Sequence, residues 1–211
     1  MIDRMRSRPA PEFGVVAERY FRGSDLDLVM FAHEMAVFSH GTQEARQNGD
    51  PYIRHPESVA LRLMELRLPA DYACLGLLHD IFEDAKHLSE KHVLRIRMVL
   101  GPEFLVDLQR ISKRFANQAL EPPGHSSANY YSTLRDSSLR VQVGKMSDRL
   151  DNLSDIDGDH ISPDKRRRVK QTTRTHLLPL AQSILSGMNR TDKMRYVIVH
   201  FRNELDRLSR G

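Results

Sequence analysis

Leu77-Leu78-His79-Asp80-Ile81-Phe82-Glu83-Asp84 is the segment from which the rest of this chain falls into place. It follows directly on the apolar run Tyr72-Ala73-Cys74-Leu75-Gly76-Leu77-Leu78, with no turn residue between. If the segment is one helix, His79 and Glu83 lie one turn apart on one face, and Asp80 and Asp84 share the neighbouring face. A helix that is apolar for two turns and then presents His, Asp, Glu and Asp together reads as a buried helix opening into a polar cavity. Burying that many ionisable groups is costly unless something compensates them, and a divalent cation is a common compensation. The plainer alternative is a charged helix end with Glu83 and Asp84 in solvent.

Around this segment the composition is that of an ordinary globular protein. The chain has 211 residues, 40% hydrophobic and 28% charged, enough for one sizeable core. No apolar run is long enough to span a bilayer. The start, Met1-Ile2-Asp3-Arg4-Met5-Arg6, has basic residues but no apolar core behind them, so it reads as a tail and not as a secretory signal. A single cysteine, Cys74, excludes an internal disulfide and suits a reducing, cytoplasmic setting; it reads as a small core residue. The net charge of +4 favours an anionic partner. No basic run is interleaved with aromatics and Trp is absent, which disfavours nucleic acid and leaves a small polyanion as the better fit.

Helical periodicity and breakers divide the chain. Residues 1–23 read as a tail with a short helix, and 24–211 as one all-α domain. A long helix is predicted from Asp25 to Gln47, with Ser24 as its N-cap, stopped by Gly49-Asp50-Pro51. A second runs from Pro56 to about Leu66, which puts His55 at a helix N-terminus beside a tight turn. A third opens at Pro69 and carries the His-Asp segment. Leu88 to Val99 and Pro102 to Arg114 read as helices broken by Gly101. Asn117 to Asn129, with Pro122-Pro123-Gly124, reads as a loop. Leu134 to Leu153 is predicted helical, although Val141-Gln142-Val143 alternates like a strand. A last long helix starts at Pro163 and is kinked at Pro179, and Met194 to Leu208 closes the chain.

Two further segments carry chemistry: Gly49-Asp50-Pro51-Tyr52-Ile53-Arg54-His55-Pro56 and Lys145-Met146-Ser147-Asp148-Arg149-Leu150-Asp151-Asn152-Leu153. Each has an ordinary alternative, a structural histidine at a turn and an exposed helix with ion pairs. The three together, in this order, resemble the HD-type hydrolase domain of the RelA/SpoT alarmone enzymes, from about residue 26 to residue 208. Ile111-Ser112-Lys113 and Leu178-Pro179-Leu180-Ala181 are weaker echoes of the same family. The resemblance is to stand-alone small alarmone hydrolases such as the metazoan SpoT homologue, and it implies a helical HD-superfamily domain.

That resemblance implies four metal ligands, His55, His79, Asp80 and Asp148, and Mn²⁺ as the metal. Two imidazoles and two carboxylates suit such a borderline ion. It implies that Glu83 and Asp84 position and activate the attacking water, as a carboxylate beside a metal can do. It implies Arg46 against the base, Asn152 on the nucleotide, and Lys113 and Arg168 on the phosphates, with Lys145 a partner of the carboxylates. The implied reaction is removal of pyrophosphate from the 3′ position of guanosine 3′,5′-bis(diphosphate) and its pentaphosphate. Several positions depart from the long enzymes: Gln47 stands for a lysine, Asp151 for a His or Tyr, Asp155 for a threonine, and Gly144 and Ser147 for larger or apolar residues. The departures bear on base preference, so an adenine alarmone or the 2′-phosphate of NADPH stays open as substrate. A non-catalytic module that binds an alarmone or a cognate alarmone synthetase is a third reading, and oligomeric assembly stays open.

Overall fold

A computed structural model of the chain describes residues 12–41, 43–46, 49–84, 88–113 and 127–210. The elements are α1 (Phe13–Ala17), α2 (Gly23–His40), α3 (Arg54–Glu65), α4 (Ala70–Leu78), α5 (Ile81–Asp84), α6 (Glu90–Leu100) and α7 (Pro102–Ile111). They continue as α8 (Ser127–Arg135), α9 (Leu139–Ser154), α10 (Pro163–Thr172), a π-turn (Thr173–Leu177), α11 (Leu178–Gly187) and α12 (Lys193–Arg210). Among the described residues there is no strand, and no helix is long and apolar enough to cross a membrane.

The apolar run explains the centre of the architecture. Ala73, Cys74, Leu75, Gly76, Leu77 and Leu78 are all buried, so from Ala73 onward α4 has no solvent face; α2, α3, α7 and α9 pack around it. Burial pushes the Cys74 thiol up to about 12, which keeps it protonated and inert. Glycine at position 76 sets how closely α3 approaches: a Cβ there would stand 3.0 Å from the Ala60 backbone. That close approach brings the N-terminal end of α3 against the C-terminal end of α4.

Helix α9 is the second central helix, and it is buried despite carrying Gln142, Lys145, Asp148, Arg149 and Asp151. Each buried polar group needs a partner. Gln142 Nε2 donates to the carbonyl of Arg135 (2.7 Å), and Ser147 Oγ to the carbonyl of Val59 (3.0 Å). Arg149 Nη2 donates to the Tyr131 hydroxyl (3.2 Å). The alternating Val141-Gln142-Val143 is therefore helical, because tertiary packing supplies apolar and polar neighbours on opposite faces. Outside this pair, α12 covers α9 and α11, and α6 and α7 join at Gly101, whose φ of +91° favours a residue without Cβ.

Several expectations are corrected. The segment 70–84 is not one helix: α4 ends at Leu78, His79 and Asp80 form a turn, and α5 restarts at Ile81. Consecutive side chains on a straight helix diverge by about 100°, and the turn instead lets His79 and Asp80 converge. The first long helix ends at His40, before Gln47, and begins at Gly23, so Ser24 lies inside it and does not cap it. Residues 134–153 divide at a turn after Arg135, with Ser138 as N-cap of α9, its Oγ accepting from the Val141 N–H (3.3 Å). The segment expected as a loop over 117–129 is helical from Ser127 onward, and residues 117–126 lie outside the described residues, as does Gln47. Pro179 acts through the π-turn just before it, which widens the helix where the ring would meet the Thr175 carbonyl.

Candidate metal centre and substrate cleft

Four side chains from three helical regions meet at one point. His55 comes from the first turn of α3, His79 and Asp80 from the turn between α4 and α5, and Asp148 from the middle of α9. Ligand atoms of His55, His79 and Asp80 all lie within 4.8 Å of one another. His79 Nε2 is 3.1 Å from Asp80 Oδ2 and 3.2 Å from His55 Nε2. Asp148 Oδ1 closes the set, 3.3 Å from His55 Nε2 and 3.6 Å from His79 Nε2. Donors about 2.1 Å from a shared ion stand about 3.0 Å apart at right angles and about 3.4 Å apart at tetrahedral angles. Three of these spacings fall in that range and the 3.6 Å one lies just beyond it, and two imidazole nitrogens with two carboxylates suit a divalent cation.

The surroundings fix each donor. His79 Nδ1–H donates to the Gly76 carbonyl (2.8 Å), which turns Nε2 toward the centre. His55 Nδ1–H donates to Asp151 Oδ2 (2.5 Å), with the same result. The Tyr52 hydroxyl donates to Asp80 Oδ2 (2.9 Å). Asp148 is held by Lys145 Nζ on Oδ2 (2.7 Å) and by Asn152 Nδ2 on Oδ1 (2.6 Å).

Charge is stored in the same place. Burial raises the Asp80 and Asp148 carboxyls, but the neighbouring histidines, and for Asp148 first the Lys145 ammonium, hold both well below the usual range. Burial lowers His79, but the Asp80 charge and hydrogen bonds to Asp148 and Asp80 lift it to about 9. His55 is likewise lowered by burial and raised overall, through Asp148, Asp151 and Asp80. Burial also lowers Lys145, and Asp148 reverses this, so it stays an ammonium. Protons on the imidazoles balance the carboxylates, and a cation bound at the two Nε2 atoms must displace them.

The centre opens into a cleft of about 630 Å³. Glu83, Lys113, Arg46 and Asn152 line it together with His55, Asp80 and Asp148. Glu83 Oε1 accepts from the Lys113 backbone N–H (2.5 Å). The neighbouring Lys145 ammonium, then burial, lowers the Lys113 pKa. Arg46 sits in the connection before α3, its Nη1 3.2 Å from Asp151 Oδ2 and 3.7 Å from Asp155 Oδ2. Asp84 ends α5, and its side chain lies outside the described residues. Arg168 is exposed on α10 and is not among the cleft-lining residues; Lys165, one turn earlier, is.

Sequence reasoning missed Tyr52, Ser58 and Asp151 as holders of the ligands, and Lys165 and His160 as cleft residues. Two of these had a readable signal: Ser58 is three residues from His55 and Asp151 three from Asp148, so each shares its ligand's helical face. Lys165 had none, because the run Lys165-Arg166-Arg167-Arg168 offers four equivalent cations until the rotation of α10 is known.

An HD domain family model matches residues 32–184. A GTP pyrophosphokinase of Myxococcus xanthus is 31% identical over 171 residues, covering 79% of this chain and 22% of its own length. A guanosine-3′,5′-bis(diphosphate) 3′-pyrophosphohydrolase of Haemophilus influenzae is 29% identical over 168 residues, 78% of this chain and 22% of its own. The chain thus spans about a fifth of the length of these curated relatives. A solved metazoan ortholog of SpoT, described as hydrolysing ppGpp with a role in starvation responses, shares the fold. Its TM-score is 0.60 at 18% identity, with 90% of this chain and 96% of that one covered.

Proposed function

This chain belongs to the HD domain family, and on that premise we propose that it is a metal-dependent hydrolase removing pyrophosphate from the 3′ position of guanosine 3′,5′-bis(diphosphate) and its pentaphosphate. The products are GDP or GTP and pyrophosphate. One observation carries the reading: four donors suited to a divalent ion sit at the floor of a cleft whose wall holds a carboxylate, Glu83, and several cations. Relatives are named for making as well as for cleaving pyrophosphoryl nucleotides. A buried ion beside a carboxylate base suits the attack of water, which favours cleavage.

When bound, the ion supplies a lowered pKa for water and polarises a phosphoryl oxygen. We assign it as Mn²⁺, on the mixed nitrogen and oxygen donor set. Glu83 takes the proton of the attacking water: the Lys113 amide holds Oε1, and Oε2 is the accepting atom. Asp84 shares the task by its place in the sequence. Water attacks the phosphorus attached to the ribose 3′ oxygen, that P–O bond breaks, the pyrophosphate leaves with the water's oxygen, and the ribose 3′ oxygen takes up a proton from solvent to become the hydroxyl of GDP or GTP. Lys113, Lys145 and Lys165 neutralise the phosphate oxygens, and the Arg46 guanidinium faces the base. Asn152 keeps Asp148 in place and lines the nucleotide site.

The test is chelator-stripped protein given Mn²⁺ and guanosine 3′,5′-bis(diphosphate), with products separated by ion exchange. GDP and pyrophosphate formed only with metal is the expected outcome. No product with metal bound overturns the substrate, and parallel arms with the adenine alarmone and NADPH then identify it.

A further inference from the structure

We propose that Asp151 is a positioning residue that couples the cleft-lining Arg46 to the imidazole of His55, so that a ligand engaging Arg46 tightens the hold on the metal. Use of the coupling by a nucleotide rests on the function proposed above.

The geometry begins with two helices meeting in register. Asp148 and Asp151 are one turn apart on α9, His55 and Ser58 one turn apart on α3. The result is one imidazole gripped at both nitrogens by the same face of α9: Nε2 lies 3.3 Å from Asp148 Oδ1 and Nδ1 2.5 Å from Asp151 Oδ2. Asp151 therefore selects the tautomer with hydrogen on Nδ1 and fixes the plane of the ring. The carboxylate is buried, 6% exposed, and Ser58 Oγ anchors its other oxygen at 2.5 Å.

Arg46 then shares an oxygen with the histidine. Its Nη1 donates to Oδ2, the atom that also accepts from His55 Nδ1–H. A guanidinium on that oxygen draws its electron density and weakens its pull on the imidazole proton, which makes Nε2 a poorer donor. Ser58 keeps the carboxylate in place whether or not Arg46 is present. A substrate group that draws Arg46 into the cleft frees Oδ2 for His55 alone. The charge of Asp155, 3.7 Å from the same guanidinium nitrogen, keeps Arg46 within reach of both positions.

The experiment is Mn²⁺ affinity measured by competition with a chromophoric chelator, with no nucleotide present, so that a wrong substrate assignment leaves it untouched. Asp151→Ala weakens Mn²⁺ binding by about 10- to 100-fold, the usual cost of losing such a partner. Asp151→Asn keeps an acceptor for Nδ1–H without the charge, falls between, and serves if the alanine variant fails to fold. Arg46→Ala shifts affinity the other way, several-fold tighter, and the shift disappears in the Asp151→Ala background. Thermal unfolding of each metal-free variant separates loss of fold from loss of metal. An Asp151→Ala affinity within about twofold of the parent, or an Arg46 effect of equal size with and without Asp151, overturns the proposal.

Discussion

His55, His79 and Asp148 stand on or beside the central helices and are 4%, 1% and 4% exposed, whereas Arg46 and Lys113 stand between helices and reach the same cleft from its half-exposed rim. The floor is over-determined: both imidazoles are held at Nδ1, Asp148 by Lys145 on the oxygen away from the histidines and Asp80 by Tyr52, with packing around them. The rim is held more openly: Arg46 reaches Asp151 and the more exposed Asp155, and Lys113 is tied through its backbone N–H to Glu83. An ion site built into the core ties metal affinity to fold, while a rim residue can change without disturbing the fold, and Arg46 reaches the ion only through Asp151. Substrate choice is free to vary where stability is not at stake.

The sharpest way to break this contrast is within the floor itself. Asp80→Ala abolishes turnover and bound metal at a smaller cost in stability than Asp148→Ala, because its side chain is 14% exposed against 6% for Asp148. Asp148→Ala does the same to turnover but also strands the Lys145 ammonium, costing about 3–5 kcal/mol of stability. Denaturant unfolding and metal analysis of both variants check this, and equal stability would mean that the floor is not part of the core. Glu83→Gln tests the boundary between the regions. It lowers turnover by about 10²- to 10⁴-fold with metal retained, since Glu83 is no ligand.

A pH series sharpens the comparison further. In metal-free protein the folded pKa of His79, about 9, lies above its ordinary 6.5. Its contribution to stability is therefore full below pH 6.5 and is lost as pH rises through 9. Metal-loaded protein runs the other way over this window, because ligation requires the neutral imidazoles and becomes tighter as protons leave. Urea midpoints with and without Mn²⁺ should diverge with rising pH; parallel curves would remove the buried charge argument. The smallest effects belong to the rim. Lys165→Ala raises KM by about fivefold, the worth of one solvent-screened ion contact of about 1 kcal/mol, and Arg168→Ala leaves both kinetic constants unchanged. A larger effect at Arg168 would place the phosphates further along α10 than the cleft does.

Much of this was legible in the chain. The unbroken apolar run before His79 required a helix buried on all sides, and α4 is so from Ala73 to Leu78. Pro163 read as a helix start, and α10 begins there, with Ser162 Oγ accepting from the Lys165 N–H. What was not legible followed from long-range packing. The length of the segment from Tyr72 to Asp84 suits a continuous helix, and only the need for His79 and Asp80 to face one point breaks it. Asp151 read as a departure near the nucleotide, and the approach of α3 turned it into the partner of a ligand.

The sequence by itself determined the helical class and the central helix, because these rest on local periodicity, while the set His55, His79, Asp80 and Asp148 came from the resemblance of three segments to one family. Only the tertiary structure decided that Asp151 and Tyr52 hold the ligands, and that Lys165 and not Arg168 lines the cleft. Those assignments depend on how α3, α9 and α10 are rotated about their axes. Rotation is set by close contacts such as Gly76 against Ala60, between residues 16 positions apart in the chain, which no local pattern encodes.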